Sequence, residues 1–366
     1  MGLSAGDYGG GSRSLFQLVR KLNRERFQPF FLFPKAGPIL PELDRSGIGY
    51  EIWGKEHNPY GLFSYTKEVL RTIRFFRSRH IDLLHINHGH FWRPAEFMAA
   101  RILRIPIIGH YRMIVEKAGP FHKYASVIIA NSQYTASHSD TAGIPVKVIY
   151  NIINLSRFSG GEDIRPELGI NKEDLVVTFL GQIKKVKGIP QFLELARRIP
   201  DKNIKFLIAG PIRDMPGEPG GPYSQKSLDT AMRDLENVLY LGYRSDVENV
   251  YRASDIVVMP SQWEEPFGLI NIEAGAAGKP VVATRSGGIP ESIEDGENGF
   301  LVDKADIDGI ERHVRQLIAD PALRQRMGRR GREIVELKFR DTPPREIEQL
   351  YDDLIARRPL VSDPYR

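Results

Sequence analysis

The chain has 366 residues, 41% of them hydrophobic and 27% charged, a formal net charge of +5 and no cysteine. That length suits two domains of roughly 150 to 200 residues rather than one core. The missing cysteine excludes disulfides, thiolate zinc sites and a cysteine nucleophile, and no apolar run reaches the roughly 18 residues that a membrane-spanning helix needs.

The charge is unevenly placed. Residues 1–150 hold 20 Lys and Arg against 11 Asp and Glu, residues 151–366 hold 31 against 35, and eight of the nine histidines precede residue 150. Such a split points to two domains with different partners. The N-terminus, MGLSAGDYGG, lacks the basic-then-apolar pattern of a signal peptide, which fits the cytoplasm.

Short apolar runs alternate with longer amphipathic segments along the whole chain, the pattern of an α/β protein with parallel sheets and crossover helices. Strands are expected at 28–33, 48–53, 81–86, 105–109, 126–130 and 146–150, then at 175–181, 204–210, 237–242, 255–260 and 280–284. Between the two sets, NLSRFSGGEDIRPELG (154–169) is polar and glycine-rich and reads as a hinge; PIRDMPGEPGGPYSQ (211–225) reads as a loop. The expected fold is two Rossmann-like doubly wound domains, 1–150 and 151–340, with a last helix at about 341–366 packing back on the first. Ligands of such sheets bind in the crevice beyond the C-terminal ends of the strands.

After the strand at 255–260 comes SQWEEPFGLINIEAGAAGKP, an apolar stretch carrying Glu265 and Glu273. A helix beginning with Pro266 would place Glu265 at its N-cap and Glu273 two turns inside. Its first free N–H groups, near Phe267, Gly268 and Leu269, would form an anion seat suited to a diphosphate.

EEPFGLINIEAGAAGKPVVATRSGGIPESIEDGENGFLV resembles the nucleotide-binding half of the retaining GT-B glycosyltransferases of family four, whose signature is Glu, seven residues, Glu. The resemblance extends upstream through NVLYLGYRSDVENVYRASDIVVMPS and VTFLGQIKKVKGIPQFLELA, and more loosely through ANSQYTASH and VIYNIINLSRF in the first half. It implies two facing domains, a nucleotide-diphosphate sugar as co-substrate and no separate cofactor. Carried over by position, Glu273 would bind the ribose diol and Glu265 the donor sugar. Phe267, Gly268 and Leu269 would offer backbone amides to donor oxygens. In GQIKKVKG, Lys187 matches the family lysine that meets the diphosphate, whereas the family arginine is replaced by Gln182. Lys184 or Lys185 could substitute as a point charge, without the bidentate fork of arginine.

In the first half, IPIIGHYRM puts His110 directly after a strand, where the family carries a histidine near the donor sugar and acceptor. GDYGGGSRSLFQL resembles the family's glycine-rich loop, so Gly9, Gly10 and Gly11 would let backbone N–H groups approach the donor. His85, His88 and His90 raise the question of metal, but no acidic cluster accompanies them and a strand end scatters their rings. No metal site is expected, and DIDG (306–309) reads as a helix start.

The implied activity is retaining transfer from a nucleotide sugar to a glycan, lipid-linked or small-molecule acceptor, as in polysaccharide biosynthesis. His110, Lys187 and Glu265 would work at the reaction centre, and no nucleic acid is involved. A catalytically weak binding subunit and a GT-B nucleotide-sugar epimerase are the alternatives; Gln182 favours the former. In YTKEVLRTIRFFRSRHID, Lys67, Arg71, Arg74 and Arg77 fall near one helical face, which suits plain solvent or an anionic membrane at the inner face. Finally, the family's first domain opens with an apolar strand before the glycine-rich loop. Here that strand is expected to be missing, with about 8–15 residues absent ahead of Met1.

Overall fold

The structure is a computed structural model that describes residues 2–3, 10–53, 62–87, 94–212 and 223–357. The chain divides into two compact units, Met1–Ile152 with Asp341–Arg366, and Ile153–Arg340.

In the first unit the strands are β1 (Gly2–Leu3), β2 (Phe30–Phe33), β3 (Gly49–Ile52), β4 (Leu84–Ile86), β5 (Ile107–Tyr111), β6 (Val127–Ala130) and β7 (Val146–Val148). All pair in parallel, in the order β3-β2-β1-β4-β5-β6-β7. The helices between them are α1 (Gly10–Arg20), α2 (Leu40–Arg45), α3 (Leu62–Ser78), α4 (Pro94–Ile102) and α5 (Gln133–Ser137). Central strands such as β5 and β6 are buried along their length, as strands covered on both faces must be.

The expectation of a missing first strand is corrected: β1 lies at the sheet centre, Gly2 and Leu3 pairing with Phe31 and Leu32 on one side and with His85 and Ile86 on the other. Two residues beginning with glycine fall below any strand signal readable from apolar runs. A cavity of about 1120 Å³ opens at the opposite end of the sheet from the β-to-α loops, lined by Gln28, Pro29, Phe30, Asp82 and Leu83 among others.

The second unit holds α6 (Leu155–Phe158), β8 (Leu175–Leu180), α7 (Ile189–Arg198), β9 (Ile204–Ala209), α8 (Gln225–Met232), β10 (Val238–Tyr240), α9 (Val247–Ala253), β11 (Ile256–Met259), α10 (Leu269–Ala276), β12 (Val281–Thr284), β13 (Gly299–Val302), α11 (Ile307–Ala319) and α12 (Pro321–Lys338). Its sheet, also parallel, runs β10-β9-β8-β11-β12-β13. One apolar cluster joins Val177, Phe179 and Phe206 of the sheet to Phe192 of α7 and Val314 of α11. The edge strand β13 was not expected from its four residues; Gly299 opens it because a Cβ there would lie 2.4 Å from the Val281 carbonyl oxygen. α11 starts where the sequence suggests, with the Asp306 side chain accepting from the Gly309 N–H at 2.8 Å.

The presumed hinge at 154–169 is not a free linker. Arg157 donates to Glu248 at 2.8 Å, the Glu162 N–H to Asn249 at 2.8 Å, and Arg165 to Asp255 at 2.7 Å, all within the second unit. Its two arginines are spent on docking, while Glu162, Asp163 and Glu167 stay exposed as the polarity of the segment suggests. The loop 211–225 keeps only its ends in view: Ile212 bridges to Ile183 and the Ser224 side chain caps α8, while 213–222 lie outside the described residues.

The last helix, α13 (Thr342–Ala356), belongs to the first unit, where Ile347, Leu350 and Tyr351 bury against Leu15 and Val19 of α1. Among the described residues no helix is long and apolar enough to cross a membrane.

Candidate active site

In the second unit the strand order reverses between β8 and β11, and the loops after these two strands carry the expected residues. After β8 the chain turns through Gly181 and Gln182 to a 3₁₀ turn at Lys185–Lys187, which Gly188 ends in the left-handed region, φ +85°. A Cβ at Gly188 would sit 1.9 Å from the Pro260 carbonyl oxygen, so only glycine lets this turn press against the loop after β11. Lys187 is thereby aimed across the switch point.

The loop after β11 is fastened from below. Thr284 Oγ1 donates to the Ser261 carbonyl at 2.7 Å, the Gly287 N–H to Glu264 at 2.7 Å, and the Gly288 N–H to the Glu265 carbonyl at 2.8 Å. Lys304 also pairs with Glu264, and Ser286 Oγ donates to the Trp263 carbonyl.

Held this way, Glu265 is 4% exposed, and its Oε1 accepts from Lys187 Nζ at 2.6 Å and from Ser261 Oγ at 2.8 Å. The Lys187 ammonium also lies 4.5 Å from the centre of the Trp263 ring. Two groups 78 positions apart in sequence thus meet as one charge pair.

The helix expected from Pro266 starts three residues later. α10 begins at Leu269 behind Gly268, whose φ of +87° and close approach to Asn271 require glycine. The cause is packing: Phe267 is 2% exposed, edge-on to Phe339 at 5.6 Å, and the chain must bury that ring before it can turn helical. Glu265 therefore lies in the loop and is not the N-cap. The amides of Leu269 and Ile270 occupy the first turn, beyond reach of any earlier helix carbonyl, so they face outward with the positive end of the dipole. Glu273, the fifth residue of α10, is half-buried, and its Oε2 accepts from the Tyr251 hydroxyl at 2.9 Å. Two buried polar atoms nearby, Trp263 Nε1 and Asn271 Oδ1, have no partner among the described residues. Gln182 is half-buried and Lys185 exposed.

In the first unit, Gly10 and Gly11 are the first two residues of α1 rather than a loop ahead of it; Gly9 lies outside the described residues. A Cβ at Gly11 would lie 3.4 Å from Arg112 Cγ. Arg112 donates from Nε to Asn87 Oδ1 and from Nη1 to Ser14 Oγ, both at 2.9 Å, and to Asn151 Oδ1. Asn87 Nδ2 donates in turn to the Gly11 carbonyl at 3.1 Å. Burial among neutral partners lowers the guanidinium to about 9, leaving it charged at neutral pH.

His110 is not after the strand but within β5, 1% exposed, with Nδ1 3.0 Å from Nε2 of His85. His85 Nδ1 meets the Tyr351 hydroxyl at 2.6 Å. Burial, reinforced by the Arg112 charge, holds His85 down to about 3 and His110 well below the usual histidine range. Among the described residues no three His, Asp or Glu groups are arranged for a metal; His88 and His90 lie outside them.

Sequence reading missed Ser261, Trp263, Tyr251, Arg112 and Tyr351. Ser261 and Trp263, four and two residues before Glu265, and Arg112, two residues after His110, stood beside motifs; Tyr251 and Tyr351 act across distances in sequence that no local pattern encodes.

The model of glycosyl transferases group 1 matches residues 161–334, and that of glycosyltransferase family 4 matches residues 8–157. The chain belongs to the family-four glycosyltransferases. It is a transferase enzyme of GT-B fold, with the two Rossmann-like units described above. A D-inositol 3-phosphate glycosyltransferase of Corynebacterium kroppenstedtii is 32% identical over 240 residues, 61% of this chain; the chain spans about half of that relative, 51%. The enzyme of the same name from Corynebacterium glutamicum is 28% identical over 344 residues, 84% of this chain and 80% of that one. Among solved structures, Anabaena Alr3699/HepE in complex with UDP-glucose superposes with a TM-score of 0.79 at 22% identity, covering 96% of this chain and 98% of that one.

Proposed function

We propose that this glycosyltransferase moves a sugar, with retention of anomeric configuration, from a nucleotide-diphosphate sugar to a glycan, lipid-linked or small-molecule acceptor. The observation that carries the reading is the Lys187–Glu265 pair beside the open first turn of α10, with Glu273 one turn further in. Lys187 would leave or share Glu265 to meet the diphosphate as negative charge grows on the leaving group. Glu265, its Oε1 steadied by Ser261, would accept from donor-sugar hydroxyls, and the amides of Phe267, Gly268 and Leu269 from the other side would hold donor oxygens. Glu273, oriented by Tyr251, would take the ribose diol, since a carboxylate accepts two vicinal hydroxyls well. Gly10 and Gly11, in the first turn of α1, would approach the donor through their amides, and Gln182 would line the diphosphate. His110 would hydrogen-bond the transferred sugar or the acceptor. No side chain is assigned as a covalent nucleophile: attack comes from the leaving-group face, with the departing phosphate taking the acceptor proton. The UDP and UDP-glucose bound by the Anabaena protein support a nucleotide-sugar donor, and the names of the Corynebacterium relatives support a small hydroxylated acceptor. The place of action would be the cytoplasm, at or near the inner face of the membrane.

A calorimetric panel of nucleotide diphosphates and their sugars, followed by NMR of the product's anomeric proton, tests this. Binding of one nucleotide sugar and a product of unchanged anomeric configuration are expected; inversion would overturn retention. Gln182, neutral where the family has arginine, favours a second reading, a binding subunit of low turnover. Donor binding with neither transfer nor donor hydrolysis would select it.

A further inference from the structure

Three buried groups of the first unit form one chain of hydrogen bonds: Tyr351 Oη to His85 Nδ1 at 2.6 Å, and His85 Nε2 to His110 Nδ1 at 3.0 Å. Their residues are 8%, 2% and 1% exposed, and the two imidazoles lie 5.2 Å apart, tilted by 23°. A neutral imidazole has one donor and one acceptor nitrogen, so each ring takes one of two tautomers. The ends of the chain decide it.

At one end, burial raises the Tyr351 phenol, so it keeps its proton, and among the described residues that O–H has no acceptor other than His85 Nδ1. It donates there. His85 then carries its proton on Nε2 and donates to His110 Nδ1, and His110 is left with its proton on Nε2. In the opposite arrangement the Tyr351 oxygen would accept from His85 Nδ1–H, and its own O–H would have no acceptor among the described residues and only the cavity that both side chains line to turn to. Neither ring is charged near neutral pH, since burial lowers both, so the proton count holds. At the far end, His110 Nε2 is buried and has no partner among the described residues.

We propose that Tyr351 and His85 are positioning residues that fix His110 as its Nε2–H tautomer, so that it offers the transferred sugar or the acceptor a hydrogen-bond donor rather than a base. Tyr351 sits on α13, which returns to the first unit after the whole second unit has been traversed, so the end of the chain sets the chemistry of a strand residue near its start. A His110 without a lone pair at Nε2 cannot take the acceptor's proton, which fits a reaction in which the leaving phosphate does so. The proposal rests on the reading of His110 as a site residue.

The test uses the full chain labelled with ¹⁵N-histidine and long-range ¹H–¹⁵N spectra at neutral pH. His110 should show a bare Nδ1 and a protonated Nε2. In Tyr351→Phe the direction of the chain is no longer imposed, so His110 should become a mixture of tautomers, with kcat lower by about fivefold, the worth of one ordinary hydrogen bond. His85→Gln, with Tyr351 intact, should keep the single tautomer, because an amide can accept from Tyr351 and donate to His110, whereas His85→Leu should not. Should Tyr351→Phe fail to fold, the wild-type spectrum and the two His85 variants still decide. A protonated Nδ1 on His110 in the wild type, or the same spectrum in His85→Leu as in His85→Gln, overturns the proposal. His110→Ala separates it from the reading beneath it. Lost transfer with Nδ1 protonated in the wild type leaves the reading standing and sinks only the tautomer assignment. Unchanged donor affinity and transfer in His110→Ala remove His110 from the site, and the proposal with it.

Discussion

At Glu273 a carboxylate stands in the second turn of an apolar helix with one oxygen already held by Tyr251 at 2.9 Å. Glu273→Gln keeps the shape but gives up the charge, and hydrogen bonds to charged groups are worth about 1.5–3 kcal/mol against about 1 for neutral ones. Calorimetry should therefore find the preferred nucleotide bound about tenfold more weakly; an unchanged affinity would take Glu273 out of the site. The buried histidines make a separate statement about pH. The folded His85 titrates at about 3, below the roughly 6.5 of an unfolded histidine, so between those values the unfolded chain binds more protons than the folded one. Stability is then fully present above about 6.5 and lost as pH falls toward 3, and His110 adds to the same slope. Melting temperatures followed from pH 7 to 4 should fall steeply, and His85→Gln should flatten the fall. An identical slope in that variant would mean that carboxylates dominate acid unfolding. Both motif glutamates and Lys187 could be picked out in the sequence because each motif lies within one short stretch of chain. Tyr251, Tyr351 and Arg112 were not, because each reaches its partner through the fold.

At the scale of elements, eleven strands could be read from apolar runs, and the two that could not, β1 and β13, are short and contain or begin with glycine. Among the described residues β1 pairs through Gly2 and Leu3, and the cavity at that end of the sheet is walled by Gln28, Pro29 and Phe30 on the β2 side and by Asp82 and Leu83 on the β4 side. The outer face of α3 offers a test at this scale. Lys67, Arg71, Arg74 and Arg77 are exposed there, Leu70 is 47% exposed beside them, and Arg71 stacks on Trp53 at 4.5 Å. Each basic residue near an anionic leaflet contributes about 1 kcal/mol, so flotation at moderate salt should recover more protein with anionic than with neutral liposomes. Equal recovery would mean that the face is simply solvated.

Across the whole molecule, two units with separate cores predict two unfolding transitions, and the one belonging to Ile153–Arg340, which holds Lys187, Glu265 and Glu273, should respond more strongly to a nucleoside diphosphate. At a hundredfold excess over Kd the gain is about 2.7 kcal/mol. Calorimetric scans with and without the nucleotide would show it, and a uniform shift of both transitions would contradict the assignment of the donor site to the second unit. The alternation of apolar and amphipathic segments, the charge split and the two-glutamate spacing belong to the sequence by itself, because periodicity and local motifs are properties of neighbouring residues. Where α10 begins was decided by the tertiary structure, since Phe267 must reach Phe339 before the chain can coil. So was the fate of the polar stretch at 154–169, whose two arginines find Glu248 and Asp255. The pairing of Lys187 with Glu265, and of Tyr351 through His85 with His110, required strands and helices far apart in sequence to be brought edge to edge. No residue in those chains carries a local mark of its partner, because a hydrogen bond is specified by distance in space, and only the packed sheets supply that distance.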